Sequence, residues 1–169
     1  MAFNVRQIFA ALNDARVDYV VVGGLAVILH GYLRATADLD LAIGLAPDNA
    51  SRGMRALAAI GLQPRLPVAM DDFADADKRA DWLHNRNMLV FPLWDPDNPL
   101  RSVDVFIDEP VEFGALLTNS VAKDLDGLTV RVASITHLIE MKRRAGRPRD
   151  LDDIDKLQQI HAEAQDGGS

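Results

Sequence analysis

The chain has 169 residues, 49% of them hydrophobic, which is enough to build one domain around a packed core. It contains no cysteine, and this excludes disulfide scaffolds, thiolate zinc sites and cysteine nucleophiles. With 18 Lys and Arg against 25 Asp and Glu the net charge is −7, which excludes a broadly basic surface of the kind that coats nucleic acid, although a local basic patch can still contact it.

The sequence also lacks the hydrophobic segments that insert into membranes. No apolar run approaches the roughly 18 residues that span a bilayer. The first twenty residues contain Asn, Arg, Gln and Asp, which the apolar region of a signal peptide would not contain. We therefore expect a cytoplasmic protein without a membrane partner, with a single domain over residues 1–164 and a disordered tail over residues 165–169.

Hydrophobic periodicity predicts that helices and strands alternate along the chain. The predicted helices cover residues 5–12, 25–32, 47–61, 71–86 and 135–144, with a last helix after Asp150. The predicted strands cover residues 18–22, 38–43, 87–94, 102–107, 121–125 and 128–132. Suitable N-caps precede three of the helices, at Asn4, Ser134 and Asp150. The prolines at 92, 96 and 99 predict a turn-rich loop, and Asp126-Gly127 predicts a tight hairpin.

Three acidic residues on two predicted strands are candidates for a metal site. Residues two apart on a strand share a face, so Asp38 and Asp40 project together while the intervening leucine packs inward. Asp104 has the same setting between two valines of another strand. If these strands are neighbours, three carboxylates converge, which is enough to hold the two Mg²⁺ ions of a phosphoryl-transfer site.

An Asp-x-Asp pair alone is more often a solvated strand face, and Gly23-Gly24 alone is more often an ordinary turn. The order of the two motifs along the chain favours a phosphate-binding and metal-binding site. The glycines end one strand and expose backbone N–H groups where a triphosphate can dock, and Asp38 follows on the next predicted strand. The phosphate cradle and the metal ligands are then both present.

Lys142 is the fourth candidate. It continues the apolar face of the helix that Ser134 caps, where it either extends past the core edge or reaches a buried anion. Residues 142–149, with the sequence KRRAGRPR, form the concentrated basic patch of an acidic chain. Arg147 within this patch is interpreted either as a structural partner of Asp150 or as a substrate contact.

These motifs resemble the signature of the DNA-polymerase-β-type nucleotidyltransferase superfamily, hG[GS] followed by Dh[DE]h. Val22-Gly23-Gly24 and residues 38–41, DLDL, match that signature, and Asp104 matches the third carboxylate. Residues 23–40 together with residues 142–154 are similar to the AbiEii-like branch, which includes toxins of type IV toxin–antitoxin systems. The resemblance extends from about residue 5 to residue 160.

The resemblance implies a fold of the α+β class, a minimal nucleotidyltransferase domain with a central mixed sheet flanked by helices. It implies an NTP cosubstrate, a two-ion Mg²⁺ site and transfer of a nucleoside monophosphate to a hydroxyl. The implied catalytic residues are Asp38, Asp40, Asp104 and Lys142, and the three aspartates are the implied metal ligands. The implied phosphate-binding residues are Gly23, Gly24, Arg34, Thr36, Lys142 and Arg147.

Several alternatives stay open at this point. The acceptor is an RNA such as tRNA, a protein or a small molecule, and a cognate antitoxin is a candidate partner. The alternative to an enzyme is a catalytically silent nucleotide-binding or partner protein with the same fold. Intact acidic residues favour the enzyme, because a scaffold has no use for clustered carboxylates.

Overall fold

The computed structural model describes residues 5–167, and over this range the chain folds into a mixed seven-stranded sheet with seven α-helices and one 3₁₀ helix. The predicted cap Asn4 lies outside the described residues. The strands are β1 (Tyr19–Val22), β2 (Leu39–Ile43), β3 (Gln63–Pro64), β4 (Val90–Asp95), β5 (Asn98–Phe106), β6 (Val121–Leu125) and β7 (Leu128–Val132). The helices are α1 (Val5–Asp14), α2 (Gly23–Leu29), α3 (Pro47–Ala59), the 3₁₀ helix (Met70–Ala74), α4 (Ala76–Arg86), α5 (Phe113–Thr118), α6 (Ile135–Ala145) and α7 (Pro148–Asp166).

The strand order across the sheet is β3-β4-β5-β2-β1-β7-β6. Strand β2 pairs antiparallel with β1 and parallel with β5, and β1 pairs parallel with β7. Both predicted hairpins form, one between β4 and β5 and one between β6 and β7. The α+β class with a central mixed sheet flanked by helices is thereby confirmed.

Helices pack on both faces of the sheet, and the two faces differ at its β4–β5 side. On one face, Phe91 of β4 is fully buried and stacks on Trp82 at 5.2 Å and against Phe73 at 5.5 Å between ring centroids. On the opposite face, Phe106 of β5 lies near Phe113 of α5 and Met141 of α6. Because side chains alternate along a strand, Asp104 shares the face of Phe106.

The interior strand β1 is buried at all four positions, which explains its continuous run of apolar residues. Strands β4 and β5 instead alternate between buried and half-buried residues over most of their length. One face of these two strands is therefore packed into the core, and the other stays partly accessible beside Asp104.

The turn-rich loop predicted from three prolines is shorter than expected, and the strand predicted over residues 87–94, which contains Pro92, does form. Pro92 lies inside β4 and Pro99 inside β5, and only Pro96 and Asp97 form the turn between the strands. Pro92 still takes part in the sheet, because its carbonyl accepts a hydrogen bond from the Arg65 N–H at 2.9 Å. The short strand β3 and helix α5 were not predicted, since neither carries enough residues for a periodic pattern.

Other element boundaries also shift. Helix α2 begins at Gly23 rather than Leu25, and α7 begins at Pro148, so that Asp150 lies inside its first turn instead of at the cap. There the Asp150 carboxylate accepts the Arg147 backbone N–H at 3.1 Å. Helix α7 runs to Asp166 and so includes two residues of the segment 165–169, whose last two positions lie outside the described residues. Within the described residues, no helix combines the length and hydrophobicity that crossing a membrane requires.

The aromatic cluster beneath β4 gives a stability test. We expect Phe91→Ala to lower the free energy of unfolding by about 3–5 kcal/mol, because it leaves a cavity between two aromatic rings. Leu89→Ala, at a side chain that is 69% exposed, should change it by no more than about 0.5 kcal/mol. Chemical denaturation of both variants measures the difference, and equal effects would contradict this packing.

Candidate active site

The centre of the candidate site is a pair of carboxylates on neighbouring strands. Parallel pairing of β2 with β5 places Asp40 directly opposite Asp104. The flanking pairs, Leu39 with Val103 and Leu41 with Val105, are buried on the other face. The packing of these four apolar side chains fixes the register, so the two acids cannot move apart without exposing the core.

Asp38 lies just before β2 and is exposed. Its charge contributes to raising the pKa of both Asp40 and Asp104, so it lies close to the pair. Among residues 5–167, however, no group of three or more acidic or histidine side chains is gathered tightly enough to hold a metal ion. The structure thus brings two of the predicted ligands together, with the third at the edge of the site.

The pKa values of the pair are raised first by burial and then by the negative charge of neighbouring acidic groups. Burial, followed by the charges of Asp104 and Asp38, raises the pKa of Asp40 to about 7, against the opposing effects of Lys142 and Arg147. Burial and the charge of Asp38 also raise the pKa of Asp104, which the Arg65 guanidinium opposes. Two carboxylates on directly paired residues favour a shared proton or a bound cation, because either one reduces their repulsion.

Gly23 is required where β1 meets α2. Its φ is +68°, in the left-handed region that side chains disfavour. A Cβ at this position would overlap the Asp40 carboxylate. The first glycine of the pair therefore packs its backbone directly against the acidic site, which only a residue without a side chain permits.

Gly24 is packed by the segment that precedes β2. A Cβ there would meet the Arg34 guanidinium and the Thr36 hydroxyl, the latter at 2.7 Å. The Thr36 hydroxyl also donates to the Asp38 carbonyl at 3.2 Å. Arg34 and Thr36 thus lie over the start of α2, next to the acidic site, as two of the predicted phosphate-binding residues.

Lys142 reaches buried anions and does not extend to solvent. Its ammonium donates to Asp153 at 2.8 Å and lies 3.6 Å from Asp150, and all three residues are buried. Asp153 also pairs with Arg34 at 3.4 Å, and Asp150 pairs with Arg147 at 2.9 Å. These five residues, which we call the buried ionic network, join the segment before β2 to helices α6 and α7.

Arg147 takes part in this network through Asp150, which is the structural pairing considered from the sequence. Burial would raise the pKa of Asp150, but hydrogen bonds from Arg147 and the charges of Arg147 and Lys142 outweigh it and lower that pKa. The Arg147 side chain remains 75% exposed in spite of this contact. Its charge also acts on Asp40, so it lies on the side of the acidic site.

Two residues near the site were not predicted from the sequence. Asp153 lies within the motif at residues 142–154, and its spacing of three residues from Asp150 on a helix places both on one face, where they meet Lys142. Arg65 gave no signal, because it lies in an irregular segment and approaches Asp104 only through the sheet order β3-β4-β5.

Comparisons with known proteins identify the fold. No protein-family model matches the sequence, and neither does any curated protein. A Thermotoga maritima protein assigned as a nucleotidyltransferase is similar in structure, with a TM-score of 0.58 and 15% identity over 92% of this chain and 90% of that one.

Two antibiotic-modifying enzymes are similar over most of their length. The lincosamide antibiotic adenylyltransferase LnuA, solved with lincomycin, has a TM-score of 0.57 at 14% identity over 92% of this chain and 96% of its own. ANT(2″)-Ia, solved with adenylyl-2″-tobramycin, has a TM-score of 0.56 at 15% identity over 98% of this chain and 97% of its own. At these identities the similarity is one of fold, and this chain has the fold of nucleotidyltransferases.

The raised pKa of Asp40 predicts a pH-dependent stability. Folded Asp40 keeps its proton up to about pH 7, whereas the unfolded chain releases it near pH 3.8, so stability falls as the pH rises through this window. Asp40→Asn removes the ionisable group and with it this loss of stability. Each tenfold change in the ionisation constant corresponds to roughly 1.4 kcal/mol, so the loss is on the order of a few kcal/mol.

We therefore expect Asp40→Asn, in the presence of EDTA, to melt at a higher temperature than the wild type at about pH 8, with the difference shrinking toward about pH 4. Asp124→Asn, on the exposed edge strand β6, should show no such trend. Thermal unfolding across the pH range measures both. A difference between Asp40→Asn and wild type that stays constant with pH would contradict the buried, coupled setting of Asp40.

The buried ionic network predicts a large cost for removing Lys142. Lys142→Met leaves Asp150 and Asp153 with fewer positive partners in a buried setting, and we expect a loss of about 3 kcal/mol. Arg144→Met on the same helix breaks only an exposed pair with Glu140 and should cost at most about 1 kcal/mol. Urea denaturation compares them, and similar losses would show that the network contributes little.

Proposed function

We propose that the chain is a nucleotidyltransferase that moves a nucleoside monophosphate from an NTP to a hydroxyl acceptor. The observation that carries this proposal is the alignment of Asp40 with Asp104 across β2 and β5, directly over the backbone of Gly23. A fold gains no stability from two facing, half-buried carboxylates whose pKa values are raised by burial and by neighbouring acidic groups, so a function has to explain them. The nucleotidyltransferase fold of the chain supports the same proposal.

The acidic residues fit a magnesium site in their chemistry. Asp38, Asp40 and Asp104 offer the carboxylate oxygens that Mg²⁺ prefers, and a cation would offset the charge that raises two of their pKa values. Asp38 would have to turn toward the pair, since the three side chains are not gathered within the described residues. When bound, two Mg²⁺ ions would supply neutralisation of the negative charge on the reacting phosphate groups.

The chain's own groups would then act on the substrates. In the proposed reaction the acceptor oxygen forms a bond to the α-phosphorus, the bond from that phosphorus to the bridging oxygen breaks, and pyrophosphate leaves with the electron pair. Asp104, whose pKa is raised, would take the acceptor's proton. The backbone N–H groups of Gly23 and Gly24 would donate to the triphosphate at the start of α2, and Lys142 would offset charge on the leaving pyrophosphate. Arg34, Thr36 and Arg147 complete the proposed phosphate-binding set.

The acceptor class is part of the proposal. Structural neighbours that match nearly the whole chain include a lincosamide antibiotic adenylyltransferase and a protein solved in complex with adenylyl-2″-tobramycin, which supports a small-molecule acceptor. The motifs at residues 23–40 and 142–154 support the AbiEii-like branch, for which the acceptor would be an RNA or a protein and the partner a cognate antitoxin. We propose one nucleotidyltransferase domain over residues 1–164 in either case.

One observation favours the catalytically silent alternative. Two buried carboxylates, Asp150 and Asp153, already occupy the Lys142 ammonium, and a lysine held in this way is also what a purely structural network needs. In a nucleotide-binding partner protein of the same fold the network would serve stability alone. A transfer assay distinguishes the nucleotidyltransferase from the silent binding protein, because only the enzyme forms a covalent product.

The experiment is a transfer assay with matched variants. The protein is incubated with each of the four α-labelled NTPs, Mg²⁺ and a fractionated cell extract, and label in RNA, protein or small molecules is measured. Asp40→Asn and Asp104→Asn each keep the shape of the side chain and remove its charge, so we expect losses of at least about a hundredfold. Asp124→Asn, far from the site on β6, should retain full activity.

Omitting Mg²⁺ or adding EDTA should abolish transfer in the same assay. Label that moves equally with wild type and Asp104→Asn would contradict the assigned site. If no nucleotide is transferred but NTP raises the melting temperature of the wild type, the silent binding protein becomes the better description.

A further inference from the structure

A partly accessible surface extends from Asp104 toward the β3 edge of the sheet. Alternation along β4 and β5 places Pro92, Trp94, Ser102 and Asp104 on one face, all half-buried. Pro92 lies directly opposite Asp104 in the strand pairing, and Trp94 lies opposite Ser102. Arg65, which follows β3, lies over this face. We call Arg65, Pro92, Trp94 and Ser102 the lateral surface.

Arg65 is held in place on the lateral surface by two contacts. Its backbone N–H donates to the Pro92 carbonyl at 2.9 Å, which continues the pairing of β3 with β4. Its guanidinium carbon lies 5.0 Å from the centroid of the Trp94 ring, which is a cation–π contact. The charge is therefore fixed above an aromatic ring, although the side chain is exposed.

The charge of Arg65 is uncompensated, unlike the other cations that act on the site. Lys142 and Arg147 influence Asp40, and both are paired with the carboxylates of α7. Arg65 influences Asp104, yet among residues 5–167 it has no carboxylate within ion-pair distance. A fixed guanidinium without an anion is suited to bind one, because its planar donors match a phosphate group.

The lateral surface and the proposed NTP site lie on opposite sides of Asp104, so a bound NTP would not cover the lateral surface. Gly23, Gly24 and the buried ionic network lie toward β1 and α2, on the other side of Asp40. Strands β4 and β3 lie one and two strand spacings beyond Asp104, which is about 5 and 10 Å. One small molecule is therefore long enough to place a hydroxyl at Asp104 and an anionic group at Arg65.

We propose that the lateral surface binds the acceptor, and that the acceptor is a small molecule in which a ring bearing the reactive hydroxyl also carries a phosphate group. This proposal rests on the proposed nucleotidyl transfer and assigns its acceptor class. The phosphate pairs with Arg65, the ring lies on Pro92 and beside Trp94, and Ser102 is available to hydrogen-bond a further hydroxyl. A polyamine such as tobramycin is disfavoured, because its ammonium groups would meet the unpaired Arg65.

Acceptor kinetics test the proposal. With NTP and Mg²⁺ saturating, kcat/KM is measured for a sugar phosphate (ribose 5-phosphate), a nucleoside monophosphate, the unphosphorylated parent of each, and tobramycin. We expect wild type to prefer the phosphorylated acceptors by at least tenfold. Arg65→Ala should lower their kcat/KM at least tenfold, mainly through KM, with the KM for NTP unchanged. Arg65→Lys should restore part of this loss, and Arg55→Ala, exposed on α3, should match wild type.

The two phosphorylated acceptors distinguish a sugar phosphate from a nucleotide, and preference for either supports the proposal. Equal use of phosphorylated and unphosphorylated acceptors, or unchanged kinetics in Arg65→Ala, would overturn it and leave the proposed nucleotidyl transfer intact. A higher kcat/KM of the wild type for tobramycin than for the phosphorylated acceptors would overturn it in the same way.

Trp94 gives a readout that does not depend on turnover. Trp82, the other tryptophan, is buried in the core, so a fluorescence change that disappears in Trp94→Phe reports on the lateral surface. Ribose 5-phosphate is titrated into the protein with a non-transferable NTP analogue and Mg²⁺ present. A saturable change in wild type that is absent in Arg65→Ala supports the site. No saturable change with ribose 5-phosphate or the nucleoside monophosphate up to millimolar concentration overturns it, whether or not the protein transfers nucleotides.

Discussion

The candidate site is organised around one unfavourable interaction, which is the repulsion between the paired carboxylates of Asp40 and Asp104. Parallel pairing of β2 with β5 forces it, because the buried leucines and valines on the opposite face allow one register only. Gly23 brings its backbone against the Asp40 carboxylate. Local sequence and long-range pairing thus both concentrate negative charge at one point of the sheet, and burial raises the pKa of each acid as a consequence.

The buried ionic network is the counterpart of this acidic centre. Lys142, Arg34 and Arg147 bring three positive charges to its border, and Asp150 and Asp153 compensate two of them. This arrangement links α6 and α7 to the segment before β2, so the helices that cover the sheet also fix the approach to Gly24. On the far side of Asp104 the only comparable cation within the described residues is Arg65, and it is uncompensated. The site is therefore asymmetric, with a compensated side suited to a triphosphate and an open side suited to an acceptor.

Much of the fold followed from local patterns, and the failures have physical causes. Strands β1, β2, β6 and β7 and helices α1 and α6 were predicted close to their bounds, since each has a clear period or a strong turn. The loop expected around Pro92 and Pro99 is instead part of two strands, because a proline is compatible with a strand wherever no backbone donor is needed there. Helix α5 and strand β3 are too short for periodicity, and contacts with the sheet stabilise them.

The sequence by itself determined which residues could form the site. The spacing of Asp38 and Asp40 on one strand, the glycine pair before a helix and the position of Lys142 on an apolar helix face are local properties that a linear pattern contains. Tertiary structure decided what these residues meet. The pairing of β2 with β5, the engagement of Lys142 by Asp150 and Asp153, and the approach of Arg65 to Asp104 all join distant segments, and the free energy that selects such contacts comes from packing the whole sheet, which no local pattern encodes.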